Sequence, residues 1–147
     1  MSEKISVVGV GKYRKTAENA AVKLEGTPFH FAAMLDVTGP EAYRFTPDRL
    51  RLVLHALNPV PRCFIAGEGI DEKDNIAAIE VWKEFVEERK PEHPLMLNFR
   101  IVEGKTLEEV LATPKDQLIE EWAGPKMMDH FFPGAGKQYV TGSQAVL

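Results

Sequence analysis

Two glycines and a group of cations stand at the end of the first apolar run of the chain. The run Ile5–Val10 is rich in β-branched residues, which favours a strand buried on both faces. Gly9 and Gly11 are followed at once by Lys12, Arg14 and Lys15. Glycines let main-chain N–H groups approach a phosphate closely, and a helix that starts there adds partial positive charge. The pattern predicts a phosphate-binding turn, and an ordinary structural turn explains the same glycines.

Further polar residues follow the next two apolar runs. Asp36 ends the second run and Thr38 comes just after it, while Gly67-Glu68-Gly69 follows the third run. Carboxyl ends of parallel strands meet at one edge of a sheet, so these residues are expected near Gly9 and Gly11. We predict that Asp36, Thr38, Gly67 and Gly69 complete the binding site. Glu68 and Asp71 are candidate acids there, with solvated loop acids as the alternative interpretation.

The order of the elements explains why one crevice should collect these groups. Strand patterns at residues 5–10, 29–35, 62–66 and 95–102 alternate with helical patterns at 17–24, 46–57 and 74–90 and beyond 106. This alternation predicts an α/β fold, a single three-layer domain over residues 1–133 with a C-terminal tail at 134–147. Right-handed crossovers favour a parallel four-stranded sheet of order 2-1-3-4, Rossmann-like or flavodoxin-like. Ligands then bind between the first and third strands.

The first turn resembles the nucleotide-binding turn of Rossmann-type NAD(P)-binding domains. Gly9 and Gly11 occupy the first two positions of the Gly-x-Gly-x-x-Gly fingerprint, and Arg14 occupies the third. The resemblance implies NAD or NADP as cofactor, with Lys12 and Arg14 at the phosphates and Asp36 at the ribose. An acid at position 36 favours NAD and the nearby cations favour NADP, so both remain open.

Catalytic motifs leave the enzyme question undecided. The segments Asp36–Thr38 and Cys63–Ile70 resemble parts of short-chain dehydrogenases, but the chain has no Tyr-x-x-x-Lys pair. It also has no Gly-x-Ser-x-Gly, Walker or His-Glu-x-x-His motif, and its four histidines lack metal-ligand spacing. We therefore expect a nucleotide-binding or phosphate-binding protein first, and keep an NAD(P)-dependent oxidoreductase as an alternative.

Composition narrows the partners. The 147 residues carry a formal net charge of -4, which disfavours nucleic acid and anionic membrane surfaces. Cys63 is the single cysteine and is predicted to be a buried thiol, so no disulfide is expected within the chain. No apolar run approaches the length of a membrane span or has the layout of a signal peptide. A cytoplasmic protein is the resulting expectation.

Two segments rich in apolar residues suggest an alternative function. The helix predicted at residues 74–90 has a wide apolar sector, and Met127–Phe132 concentrates methionine and phenylalanine. Such residues are enriched at subunit interfaces. They favour a non-catalytic homodimeric scaffold protein as an alternative, with packing of a last helix on the core as the simpler explanation.

Overall fold

The computed structural model describes residues 4–12, 14–38, 40–67 and 70–135. Gly69 and Glu68, both predicted at the crevice, and most of the predicted tail lie outside these residues. The elements in chain order are β1 (Ile5–Gly11), α1 (Arg14–Leu24), β2 (Phe29–Asp36), a 3-10 turn (Glu41–Tyr43), α2 (Pro47–Ala56), β3 (Cys63–Ala66), α3 (Glu72–Arg89), β4 (Leu95–Asn98), α4 (Leu107–Ala112), α5 (Lys115–Leu118), a π turn (Ile119–Ala123) and α6 (Gly124–Phe131).

The four strands form one parallel sheet in the order β2-β1-β3-β4. This confirms the predicted α/β architecture and strand order. Side chains alternate across β1, so Val7 packs into one core and Val8 into another. The first core lies against α1, α4 and the residues 115–131, which we call the C-terminal helical segment. The second lies against α2 and α3. The sheet is therefore the middle of three layers.

Local sequence signals set several helix ends. Thr46 caps α2 by accepting a hydrogen bond from the Arg49 N–H, and Thr106 with Glu109 forms a capping box at α4. Asp71 caps α3, accepting from the Asp74 N–H at 2.8 Å. This contact gives Asp71, a candidate acid of the crevice, a structural role at the start of α3.

The Gly124-Pro125 pair is a sequence pattern that predicts the end of a helix, and this prediction is wrong. The π turn at Ile119–Ala123 continues directly into α6, and this dipeptide forms the first two residues of α6. Pro125 has no N–H to donate to the carbonyl four residues earlier, and proline is tolerated where such a bond is absent. The turn before it is wider, with the Gly124 N–H donating to the Ile119 carbonyl. The helical segment therefore continues without a break across the face of the sheet, through the point where the Gly-Pro pair predicted its end.

An irregularity in β2 decides which side chains face this helical layer. Val7 pairs with Phe31 but Val8 pairs with Ala33, so one extra residue bulges out of β2. Beyond the bulge, Gly9 pairs with Met34 and Gly11 with Asp36. The bulge thus places the side chains of Met34 and Asp36 on the face of the sheet that carries α1.

Candidate functional site

A cavity of about 160 Å³ lies between the sheet and the helices of the first core. Its floor is formed by Phe31, Met34 and Ile65, from β2 and β3. Residues inside a covered sheet are normally buried, yet these three side chains are only partly buried. The helical layer above them therefore stands away from the sheet and leaves room there.

The walls come from two helical elements that face each other. Thr16, Ala17 and Ala20 line one side from α1, and Ile119, Ala123 and Met127 line the other from the C-terminal helical segment. The alanines of both walls have small side chains, which leave the space between the two helical elements unfilled. An ion pair joins the two walls, since Lys23 Nζ lies 2.7 Å from Glu120 Oε1.

Gly9 and Gly11 line this cavity, and a side chain at either position would crowd a neighbouring residue. A Cβ atom on Gly9 would lie 2.7 Å from Cζ of Phe31, and one on Gly11 would lie 3.0 Å from Cε of Met34. Both glycines are strand residues, and their backbones are outside the left-handed region. Their role in the described structure is to admit the Phe31 ring and the Met34 methyl group beneath the cavity.

One end of the cavity collects the predicted turn residues. Gly9, Gly11, Lys12 and Gly67 all line it. Lys12 is exposed, and its carbonyl accepts a hydrogen bond from Oγ1 of Thr38 at 2.5 Å. Thr38 therefore holds the turn after β1 in place from the loop after β2. The sequence brings these five residues to one place, as the parallel topology requires.

Arg14 and Asp36 are arranged differently from the prediction. Arg14 Nη2 donates to the Met34 carbonyl at 2.8 Å and lies 3.6 Å from Oδ1 of Asp36. The Asp36 side chain is 2% exposed. The cation expected at a phosphate and the acid expected at a ribose therefore contact each other, on the inside of the first turn of α1.

The chemistry of the lining is that of an apolar chamber with a cationic end. Phe31, Phe99 and Met127 supply soft, polarisable surface, while Lys12 and Thr16 supply polar groups. Among the described residues that line the cavity, none is Asp, Glu, His or Cys. The arrangement suits a ligand with an apolar body and an anionic group, and its described lining offers no acid–base pair.

Sequence reasoning missed the floor and the far wall. Phe31 and Met34 reach the cavity because of the bulge in β2, and Ala123 and Met127 reach it because the helix continues past Pro125. The spacing of Gly9 and Gly11 in the sequence is the one pattern that could have indicated this cavity. Glycines two apart on a strand remove two side chains from the same face, which predicts space beside that face.

The remaining candidate groups lie away from this site. Cys63 is buried in the first core, as predicted, and burial raises the pKa of its thiol. A shallower depression lies between α3 and β4, bordered by Trp82, Met96 and several charged residues of α3.

No helix of the described residues has the length and apolar character needed to cross a bilayer. The described residues also contain no cluster of three His, Cys, Asp or Glu side chains arranged to hold a metal ion.

The apolar segments proposed for dimerisation are largely used within the chain. Met127 is fully buried, and the Phe131 ring packs 5.9 Å from the ring of Phe29. From the apolar sector of α3, Trp82 and Phe85 are buried in the second core, whereas Ile76 is 48% exposed. Intrachain packing thus accounts for most of the surface on which the dimer prediction depended.

Comparison with known proteins adds no family to this description. The chain matches no protein-family model, and a search of curated proteins found no match.

Proposed function

We propose that this protein binds a small phosphate-bearing molecule at the end of the cavity formed by the turn after β1. The observation that carries the proposal is the meeting of Gly11, Lys12 and Gly67 at one end of the cavity, where the first and third strands end. In open parallel sheets this switch point is where ligands bind.

The cation assigned to the phosphate is Lys12. It lines the cavity and its side chain is exposed, so its ammonium group is accessible to an anion at that end of the cavity. Thr16 stands in the first turn of α1 and lines the same cavity, close to the positive end of that helix. Lys12 and Thr16 together supply charge and a hydroxyl group to one anionic group.

Arg14 and Asp36 are given a supporting role. Their contact, together with the bond from Arg14 to the Met34 carbonyl, ties the start of α1 to the end of β2. A buried carboxylate next to a guanidinium is poorly placed to accept hydrogen bonds from a ribose. The proposal therefore does not include the ribose contact that the Rossmann resemblance implies, and it favours binding over NAD(P)-dependent redox chemistry.

Titration calorimetry with phosphate compounds tests this proposal. Inorganic phosphate, AMP, NADP and phenyl phosphate are titrated into the wild type, Lys12→Gln and Lys15→Gln. Lys15 gives a matched control, because it is 79% exposed, pairs with Glu18 at 3.9 Å and does not line the cavity. Lys12→Gln is expected to weaken the best phosphate ligand about tenfold, and Lys15→Gln to leave its affinity nearly unchanged.

Two results would contradict the proposal. One is the absence of heat and of any thermal shift with all four compounds. The other is equal weakening by the two lysine variants, since that would indicate a general charge effect without a site at Lys12.

A further inference from the structure

We infer that the ligand carries a single six-membered ring, and that this ring occupies the cavity while its phosphate lies at Lys12. The inference rests on the proposed function and narrows its ligand to a small aryl phosphate or a closely similar aromatic anion. It is carried by the size of the cavity, the character of its lining and the position of its polar end.

Size comes first. A dry cavity of about 150 Å³ lined by leucine, isoleucine and phenylalanine is large enough to bind benzene. The present cavity is about 160 Å³. Drug-sized ligands and cofactors usually occupy clefts of about 300–1,000 Å³. A dinucleotide therefore does not fit inside, whereas one ring with a short substituent does.

The lining favours an aromatic ring over an aliphatic chain. Phe31 and Phe99 contribute ring surfaces, and Met34 and Met127 contribute thioethers. Aromatic rings make favourable contacts with other rings and with methionine sulfur, beyond what burial of the same area contributes for an aliphatic chain. Phe99 and Met127 are fully buried and thus provide fixed surfaces.

Polarity fixes the orientation. The polar groups Lys12 and Thr16 belong to the turn after β1 and the start of α1, and Leu24 at the end of α1 lines the opposite end. At the leucine end the adjacent cation, Lys23, is paired with Glu120 and does not line the cavity, so a phosphate there would lose hydration without a cation in the lining. The anion must therefore face Lys12, with the unsubstituted side of the ring directed toward Leu24 and Met127.

Cavity-filling variants give the decisive test. Ala17→Leu and Ala123→Leu add bulk from opposite walls, and Ala21→Leu is the control on the same helix as Ala17, at a position that does not line the cavity. Affinities for phenyl phosphate and inorganic phosphate are measured by calorimetry for each protein, and those for AMP and benzyl alcohol for the wild type. The thermal melting temperature of each unliganded protein is measured as well.

We expect phenyl phosphate to bind the wild type at least about tenfold more tightly than inorganic phosphate, AMP or benzyl alcohol. Each filling variant should remove most of that advantage and leave the affinity for inorganic phosphate and its dependence on Lys12 intact. A melting temperature equal to or above that of the wild type shows that a filled variant is folded. Two variants on separate walls keep the test valid if one of them fails to fold.

The outcomes separate the two proposals. If phosphate compounds bind and depend on Lys12, but phenyl phosphate has no advantage or keeps it in both filled variants, the single-ring inference is overturned and the proposed function stands. If no phosphate compound binds at all, phenyl phosphate included, both are overturned.

Discussion

The guanidinium of Arg14 and the carboxylate of Asp36 lie 3.6 Å apart, with the carboxylate almost fully buried and the guanidinium side chain 36% exposed. The bulge in β2 makes this contact feasible, because it turns Asp36 toward the face of the sheet on which α1 begins. The two residues link β2 to α1 directly beside the turn that carries Lys12.

Removal of the Arg14 charge should destabilise the fold more than removal of both charges. Arg14→Met leaves a buried carboxylate without its cation, which is expected to cost about 1–3 kcal/mol of unfolding free energy. The cost is below that of a fully buried pair because solvent screens the exposed part of Arg14. Urea denaturation of Arg14→Met, Asp36→Asn and the double variant measures the coupling.

Lys15→Met is the control for this prediction, since its exposed ion pair with Glu18 should contribute less than about 0.5 kcal/mol. Additive effects of Arg14→Met and Asp36→Asn, with no coupling free energy, would show that the contact does not hold the two elements together.

The two glycines of β1 should differ in their tolerance of a methyl group. Gly9→Ala places a carbon 2.7 Å from the Phe31 ring, and the ring must move into the cavity, so we expect a loss of about 1–3 kcal/mol. Gly11→Ala meets only the flexible end of Met34 at 3.0 Å and should cost less. Chemical denaturation compares them, and Phe31→Leu combined with Gly9→Ala should recover part of the loss. An equal cost at both positions would count against this explanation of the glycines.

Glu103 should make stability depend on pH at acidic values. Its carboxylate accepts hydrogen bonds from Lys126 and, at 2.8 Å, from Trp122 Nε1, and so ties the segment after β4 to the C-terminal helical segment. The bond from Lys126 is the largest of the causes that lower the pKa of Glu103 from 4.5 to about 2. A carboxyl with a lowered folded-state pKa stabilises the fold above its unfolded pKa, and this stabilisation is lost as pH falls through the folded value.

Glu103→Gln is therefore expected to lower the melting temperature near neutral pH, with a difference from wild type that shrinks between pH 4.5 and pH 2. Glu87→Gln, on the exposed side of α3, is the control. A difference for Glu103→Gln that stays constant down to pH 2 would contradict a role for the ionised carboxylate.

The sequence was sufficient for the fold because its strongest signals are local. Apolar runs ending in glycine or aspartate mark the strands, and Thr46 and Thr106 mark helix starts through their side-chain caps. Parallel pairing and strand order then follow from the alternation of strands and helices, since few right-handed arrangements remain. Asn98 shows a limit, because β4 ends there and the apolar pattern continues to residue 102.

The site was less accessible to prediction because two features create it, the bulge in β2 and the continuation of the last helix through Gly124-Pro125. The extra residue in β2 reverses the side-chain alternation before Met34 and Asp36, and no residue type in that run signals it. His30 illustrates a related difficulty. It lies within the apolar run of residues 29–35, a position that predicts a buried side chain, yet it is exposed because β2 is an edge strand. Strand order, which is set by the whole chain, decides such exposure.

The most direct test of a phosphate-bearing ligand in the cavity is NMR of the methionine methyl groups during titration with phenyl phosphate. Met34 and Met127 line the cavity, whereas Met96 borders the depression between α3 and β4 and serves as an internal control. We predict saturable shifts of the Met34 and Met127 methyl signals, weakened in Lys12→Gln, with the Met96 signal unchanged. Saturable shifts at Met96 without shifts at Met34 and Met127, or no shifts at any of the three, would contradict the account.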